Sequence, residues 1–220
     1  MPKNHKTKLV LFDLDGTLID TAPDFLSALN KVLIDNGEDV ITEEELRFHI
    51  SEGTSKMIKT FFKIEEDDVN FEKYKNQFLS EYKSNLTKKS KLFDGIKSLI
   101  QYLESNSIMY GVVTNKYFEY AKPIIESFPE LSNVKIIICP DHVSISKPDP
   151  EGILQACNKL NVTPDDTIYL GDHLNDLMAG EAAGTKVIGC LYGYSLDQNI
   201  INSKGYNYVK NVSEIISHLD

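Results

Sequence analysis

The stretch KLVLFDLDGTLID, residues 8–20, decides how the rest of the chain is interpreted. Its apolar run LVLF, residues 9–12, predicts a strand buried on both faces. Such strands belong to parallel sheets that are covered by helices. Two carboxylates, Asp13 and Asp15, stand where the strand ends, and Gly16 follows them directly. Buried acids need a neutralising partner, because an unpaired buried charge costs several kcal/mol, and a metal ion is one such partner.

The remaining chain divides into two kinds of pattern. Residues 20–87 show helical spacing without a convincing strand, which predicts an all-helical domain inserted into the chain. Residues 1–19 and 88–220 alternate strands with helices, which predicts an α/β domain with a doubly wound parallel sheet, a Rossmann-like core. The inserted helices are predicted at 22–36, 42–50, 57–62 and 69–86, the further core strands at 107–114, 134–139, 166–171, 186–191 and 206–209, and the core helices at 95–105, 117–128, 151–160, 174–183 and 212–219.

The composition restricts the classes of function. A formal net charge of −10 argues against nucleic-acid binding, which needs a basic surface. No apolar run is long enough for a membrane span, and the short apolar stretch near the start indicates a strand rather than a signal peptide. Cys139, Cys157 and Cys190 lack metal-ligand spacing, so we expect buried thiols in a reducing cytoplasm. A cytoplasmic protein with neither nucleic acid nor membrane as partner is expected.

Polar residues follow several of the predicted strands. In open α/β sheets, ligands bind at the carboxyl ends of the strands. The residues expected at that edge are Asp13, Asp15, Thr114, Asn115, Lys147, Asp172 and Asp176. Together they suit phosphoryl transfer, although each has a simpler interpretation alone: Thr114 and Asn115 as a helix cap, Lys147 as a solvated loop residue, and Asp172 as part of a turn.

Each of these groups has a definite chemical use. Asp13 could attack phosphorus and form an aspartyl-phosphate, and Asp15 could protonate the leaving oxygen and later take a proton from water. Asp13, Asp15 and Asp172 offer hard oxygen ligands, which suit Mg²⁺. Lys147 would bridge the nucleophile and the phosphate. Thr114 and the amides after it, at the start of a helix, would hold the phosphoryl oxygens.

The motif DLDGTL, residues 13–18, resembles the signature of the haloacid dehalogenase-like phosphatases. Thr114, Lys147 and Asp172 follow it in the order of that family's further motifs. The resemblance implies the roles given above, with Mg²⁺ as cofactor. It also implies that Asp176 contacts either Lys147 or a metal-bound water.

The helical insertion resembles the cap that one branch of this family carries after its first motif. A cap can close over a site and contribute substrate-selecting groups. The segments VTNK at 113–116, GCLYGY at 189–194 and RFHISEG at 47–53 are similar to bacterial phosphoglycolate phosphatases. The resemblance therefore implies phosphoglycolate as the leading substrate. The residues expected to bind the substrate are Thr114, Asn115, Lys147, Gly53, Thr54 and Arg47.

The inserted domain departs from that pattern in one loop. Ser51 stands where the family often carries glycine, and Glu52 adds a negative charge. Arg47, the only arginine of the chain, is either a solvated helix residue or a partner for a second anionic group of the substrate, because a guanidinium suits carboxylates. Lys56 and Lys116 are the other cations considered for that contact.

We expect a Mg²⁺-dependent phosphomonoester hydrolase that acts on a small phosphorylated metabolite, as a monomer or a homodimer. A sugar-phosphate mutase of the same fold would use the same nucleophile but return the phosphoryl group to the substrate. A non-catalytic phosphate-binding protein is the alternative from a different class. Substrate panels and substitution of Asp13 would separate the three.

Overall fold

The computed structural model describes residues 7–196 and 205–219. Residues 1–6, 197–204 and 220, which the sequence pattern assigns to the α/β domain, lie outside the described part. Within that part the predicted fold class is confirmed: strands and helices alternate, and the main sheet is entirely parallel.

The chain forms two compact units. A core unit ends at Ile19 and resumes after the helical unit, Asp20–Lys91. The sequence pattern ends the helical domain at residue 87, a little earlier than the contacts do. The Asp24 side chain explains the difference, since it accepts hydrogen bonds of 2.8 and 2.9 Å from the backbone nitrogens of Lys89 and Ser90. These bonds hold the returning chain within the helical unit.

The strands of the described chain form two sheets. They are β1 Leu9–Phe12, β2 Ile19–Asp20, β3 Lys91–Leu92, β4 Met109–Val113, β5 Ile137–Ile138, β6 Thr167–Gly171, β7 Lys186–Cys190 and β8 Asn207–Val209. The six-stranded sheet has the order β5-β4-β1-β6-β7-β8, and β2 and β3 form a separate two-stranded sheet. Because β1 is central, its carboxyl end lies between the ends of β4 and β6.

Helices make up most of the remaining described chain. The helical unit contains α1 Ala22–Asp35, α2 Glu43–Ile50, α3 Thr54–Phe62 and α4 Phe71–Ser84, and the core unit contains α5 Ile96–Ser105, α6 Phe118–Glu126, α7 Glu151–Leu160 and α8 Leu174–Ala183. Short 3₁₀ helices cover Pro129–Leu131, Pro140–His142, Pro164–Asp166 and Val212–His218. None of the described helices combines the length and the apolar character that a membrane crossing requires.

The core unit is built around β1, whose four residues are fully buried. Leu9 and Leu11 point to the same face of the sheet because side chains alternate along a strand. They pack in one cluster with Ile153 of α7 and Ala179 of α8. Burial of both faces explains why the stretch reads as continuously apolar. The three cysteines are free and buried, as predicted.

Two elements of the core and the placement of Thr114 differ from the sequence expectation. Strand β5 covers two residues where the pattern indicates 134–139, because it lies at the sheet edge and pairs with β4 alone. The last segment, Val212–His218, is a 3₁₀ helix. Helix α6 begins at Phe118, so Thr114 precedes it by a short turn and does not lie at a helix amino terminus. That part of the phosphate-binding prediction is wrong.

The helical unit has its own aromatic core. Phe25 of α1 stacks on Tyr82 of α4 with ring centroids 4.2 Å apart, and Phe78 lies against both rings. A capping box starts α2, since Thr42 and Glu45 exchange side-chain-to-backbone hydrogen bonds. The stacked rings of Phe25, Phe78 and Tyr82 pack α1 against α4 within the helical unit.

Candidate active site

Asp13 is the first residue after the central strand. Its backbone nitrogen donates a 2.8 Å hydrogen bond to the carbonyl of Leu170, so the parallel pairing with β6 continues to this residue. This pairing fixes the position of the Asp13 backbone. The Asp13 carboxylate is buried, and its Oδ1 lies 2.8 Å from Nζ of Lys147. Burial raises the pKa of Asp13, while the positive charge of Lys147 opposes that shift.

Lys147 lies between two carboxylates. Besides Asp13, its Nζ donates to Oδ1 of Asp176 at 2.5 Å, and only 4% of its side chain is exposed. Burial alone lowers the pKa of Lys147, but the two carboxylates outweigh burial and raise it, so the ammonium form is kept. The predicted contact between Asp176 and Lys147 is present. A solvated loop lysine, the simpler interpretation, is excluded by this burial.

Tyr169 is a site residue that sequence reasoning missed. Its hydroxyl accepts a 2.9 Å hydrogen bond from Lys147, donates to the carbonyl of Val113 at 2.8 Å, and lies 3.1 Å from Oδ1 of Asp176. Burial raises the pKa of Tyr169 well above its usual value, so the phenol stays protonated. The available signal was a hydroxyl in a fully buried strand, since such a group needs a partner.

Asp172 follows β6 and is completely buried. Thr17 donates a hydrogen bond to its Oδ1 at 3.2 Å, and the backbone nitrogen of Tyr194 donates to its Oδ2 at 2.7 Å. Glycines at 16 and 193 leave room for this carboxylate, because a Cβ at either position would meet Asp172 atoms at 2.3 Å. Burial raises the pKa of Asp172 well above its usual value, and the charges of Asp13 and Asp176 add to the shift.

These acids form a set that suits a cation. Carboxylate oxygens of Asp13, Asp172 and Asp176 lie within 4.8 Å of one another in the described part of the chain, and all three residues are buried. Hard oxygen donors suit Mg²⁺, and a bound cation would favour the ionised forms that burial disfavours in Asp13 and Asp172. The residues present therefore fit the predicted metal.

Asp15 lies apart from this three-carboxylate set. The structure pairs its carboxylate with Lys116, whose Nζ lies 3.0 and 3.1 Å from the two oxygens. The three carboxylates that lie close enough to share a metal ion are those of Asp13, Asp172 and Asp176. The sequence analysis predicts Asp15, and not Asp176, as the third ligand. The reason is local: the turn after Asp15 fixes its backbone, and the Lys116 ammonium attracts its side chain.

The turn after β4 carries the other predicted phosphate binders. Thr114 is buried, and its Oγ1 accepts a hydrogen bond of 3.2 Å from the backbone nitrogen of Lys116. Asn115 donates from Nδ2 to the carbonyl oxygen of Lys147 at 3.0 Å. The three consecutive residues of this turn thus lie among the groups of the candidate site, and Asn115 supports the Lys147 backbone.

Arg47, Gly53 and Thr54 belong to the helical unit. Arg47 Nε donates to Glu43 at 3.0 Å, and its Nη2 lies 3.1 Å from a carboxylate oxygen of the buried Asp20. Gly53 has φ +90° and directly precedes α3, which Thr54 begins. The structure therefore gives Arg47 two carboxylate partners inside its own unit, and its contact with a substrate stays a prediction.

Fold and site define the protein as an α/β enzyme with a buried carboxylate–lysine centre at the carboxyl edge of a parallel sheet. Residues 10–190 match the haloacid dehalogenase-like hydrolases, and the chain belongs to that family. The resemblance predicted from the sequence is confirmed.

Two curated relatives and one solved structure are similar to the chain over most of their length. An N-acetylmuramic acid 6-phosphate phosphatase from Pseudomonas putida is 37% identical over 204 residues, covering 93% of this chain and 92% of the relative. A phosphoglycolate phosphatase from Xylella fastidiosa is 36% identical over 191 residues, covering 87% and 83%. A predicted phosphoglycolate phosphatase from Haemophilus somnus has a crystal structure with TM-score 0.87 and 27% identity, covering 97% and 98%. These relatives bear out the predicted class, a phosphoric monoester hydrolase.

Proposed function

We propose that this protein is a Mg²⁺-dependent phosphatase that hydrolyses a small phosphate monoester through an aspartyl-phosphate at Asp13. The observation that carries the proposal is the position of Asp13 at the end of the central strand, with Lys147 2.8 Å from its carboxylate. A buried nucleophile beside a permanent cation suits attack on a dianionic phosphate, because the ammonium offsets the repulsion between the two anions.

In the first half of the reaction, a carboxylate oxygen of Asp13 attacks phosphorus and the ester P–O bond breaks. The leaving alkoxide takes a proton from Asp15. Lys147 stabilises the charge that develops on the phosphoryl oxygens, and the Thr114 hydroxyl and the Asn115 backbone amide offer further donors. The products of this step are the alcohol and an aspartyl-phosphate.

In the second half, water attacks the phosphorus of the aspartyl-phosphate and gives its proton to the Asp15 carboxylate. The bond between phosphorus and the Asp13 oxygen breaks, which releases inorganic phosphate and restores both acids. One group that alternates between acid and base serves both steps. The proposal thus gives the two aspartates different roles: Asp13 is the nucleophile and Asp15 transfers the proton.

Mg²⁺ would be held by Asp13 and Asp172, with Asp176 beside them and Asp15 as the further ligand proposed from the sequence. When bound, it supplies positive charge that neutralises the clustered acids and the incoming phosphate. Lys147 alone faces too many carboxylates to do this, since Asp13, Asp172 and Asp176 surround the same space.

The substrate that we propose is a primary alkyl phosphate with a carboxylate elsewhere in the molecule. Both N-acetylmuramic acid 6-phosphate and phosphoglycolate meet this description. We rank the former first because the relative that carries its name matches 204 residues of the chain, against 191 for the phosphoglycolate relative, at nearly equal identity. The sequence resemblance alone places phosphoglycolate first.

The test measures phosphate release from both compounds, from sugar phosphates, from nucleotides and from pyrophosphate. We expect one of the two leading compounds to have the highest kcat/KM, and Asp13→Asn to lower it by roughly three orders of magnitude or more with the fold retained. Asp165→Asn, at an exposed site, is the matched control. Full activity of Asp13→Asn would refute the nucleophile, full activity in chelator would refute the metal, and isomer conversion without phosphate release would favour a mutase.

A further inference from the structure

A second buried lysine lies in the core unit, and the functional proposal leaves it without a role. The Lys116 side chain is 6% exposed and the Asp15 side chain 15%, and the ammonium contacts both carboxylate oxygens at 3.0 and 3.1 Å. Burial lowers the pKa of Lys116, and the Asp15 charge opposes that shift. Such a pair differs from surface ion pairs, which contribute little and are screened by salt.

The backbone on both sides of this pair is fixed. On the Asp15 side, Gly16 adopts φ +82° and its nitrogen donates to the carbonyl of Ile19 at 3.1 Å, which closes a tight turn. On the other side, the nitrogen of Lys116 donates to Oγ1 of Thr114 at 3.2 Å. With both main chains held, the two contacts from the Lys116 ammonium hold the Asp15 carboxylate in its observed direction.

We propose that Lys116 is a positioning residue that holds the Asp15 carboxylate in the orientation required for proton transfer. The inference rests on the proposed function, and it assigns to Lys116 no contact with the substrate. A proton donor works only within hydrogen-bond reach of the atom that it serves, and a misplacement of about 1 Å can cost about a hundredfold in rate. Lys116 keeps Asp15 within that reach.

This role predicts a dependence on the leaving group. An alkoxide needs a proton as it departs, whereas p-nitrophenolate is stable as an anion. Lys116→Met should therefore lower kcat on the alkyl ester by about 10- to 100-fold, with KM changed less than about threefold. The loss on p-nitrophenyl phosphate should be clearly smaller. A lysine that binds the phosphate directly would instead raise KM for both esters.

A double-mutant cycle isolates the action through Asp15. Lys116→Met introduced into Asp15→Asn should cause little further loss of kcat, because the group that it positions is already disabled. Lys116→Arg should retain more activity on the alkyl ester than Lys116→Met, since it keeps the cation. The matched control is Lys97→Met, which removes an exposed lysine 3.1 Å from Glu130 and should leave kinetics unchanged.

The experiment compares kcat and KM of these variants on p-nitrophenyl phosphate and on whichever of N-acetylmuramic acid 6-phosphate and phosphoglycolate the parent hydrolyses faster. Equal losses on both esters, a rise in KM alone, or additive effects in the cycle would overturn the inference while the proposed function stands. A parent that hydrolyses no phosphate ester would overturn both. If Lys116→Met does not fold, Lys116→Arg and the charge-balanced double variant Asp15→Asn/Lys116→Met carry the comparison.

Discussion

Nζ of Lys147 lies 2.5 Å from Oδ1 of Asp176, deep inside the core unit. The two residues come from different elements, since Lys147 precedes α7 and Asp176 lies in the first turn of α8. Asp176 also accepts a hydrogen bond through Oδ2 from the backbone nitrogen of His173, which fixes its side chain at the start of that helix. Asp176, which is fixed in the first turn of α8, thus holds Lys147 beside Asp13.

Asp176→Asn tests whether that link matters for catalysis. The amide keeps a hydrogen-bond acceptor but loses the charge that anchors Lys147, so we expect kcat to fall by about 10- to 100-fold with a folded protein. Steady-state kinetics with circular dichroism provide the measurement, and Asp165→Asn is the exposed control. Unchanged kcat would show that Asp13 and Tyr169 suffice to position Lys147.

Tyr169→Phe removes a single hydroxyl from the same network. The carbonyl of Val113 loses its donor and Lys147 loses an acceptor, so the free energy of unfolding should fall by about 1–2 kcal/mol. The kcat should fall by about 3- to 10-fold, because Lys147 keeps both carboxylates but gains freedom to move. Chemical denaturation and kinetics measure the two effects, and a kcat loss without a stability loss would contradict this account.

Asp172→Asn should stabilise the protein in chelator at neutral pH. Burial raises the pKa of Asp172 above its usual 3.8, so the folded state binds more protons than the unfolded state above that pH. Stability from this group is therefore present at pH 3.8 and below, and is lost as pH rises through the folded-state pKa. Asparagine does not titrate and escapes this loss.

Thermal unfolding in chelator across pH 4–8 checks the sign of that effect. The gain of Asp172→Asn over the parent should shrink toward pH 4, and added Mg²⁺ should raise the Tm of the parent far more than that of the variant. A variant that is less stable than the parent at pH 7 in chelator would contradict the direction of the shift.

Arg47→Met separates two roles for the only arginine. Because its guanidinium contacts both Glu43 and the buried Asp20, we expect the helical unit to lose about 1–3 kcal/mol of stability. The companion variant Asp20→Asn/Arg47→Met should recover part of this loss, since no buried carboxylate is then left without its guanidinium. A tenfold rise in KM without a change in stability would instead favour a direct substrate contact.

Much of the core could be predicted because its signals are local. The apolar run before Asp13 leads to a buried strand, and the period of the helices from 151 and 174 gives bounds that match α7 and α8. The features that the sequence predicts less accurately depend on contacts with neighbouring elements of the fold. Strand β5 is short because it has one partner in the sheet, and Thr114 lies away from the start of α6 because the chain first turns through Asn115 and Lys116.

The residues of the candidate site likewise divide into those with a local sequence signal and those that depend on the fold. Each residue at the end of a strand could be placed at one edge of the sheet, because parallel strands bring their carboxyl ends together. The sequence does not indicate Tyr169 as a site residue, because it lies within strand β6 and not after the carboxyl end of a strand. For Arg47 the sequence leaves open a solvated residue or a substrate contact, and it does not indicate the carboxylate partner Asp20, which is distant in sequence.

The sequence by itself determined the strand that ends at Asp13, the parallel sheet around it and the set of acids with one lysine that phosphoryl transfer requires. Periodicity and the order of elements suffice for these, because they follow from backbone geometry and burial. Only the tertiary structure decided the partners that the sequence did not indicate: Lys147 with Tyr169, and Lys116 with Asp15. The physical reason is that a buried charge takes whichever opposite charge the packing brings within about 3 Å, and that distance is set by the whole fold.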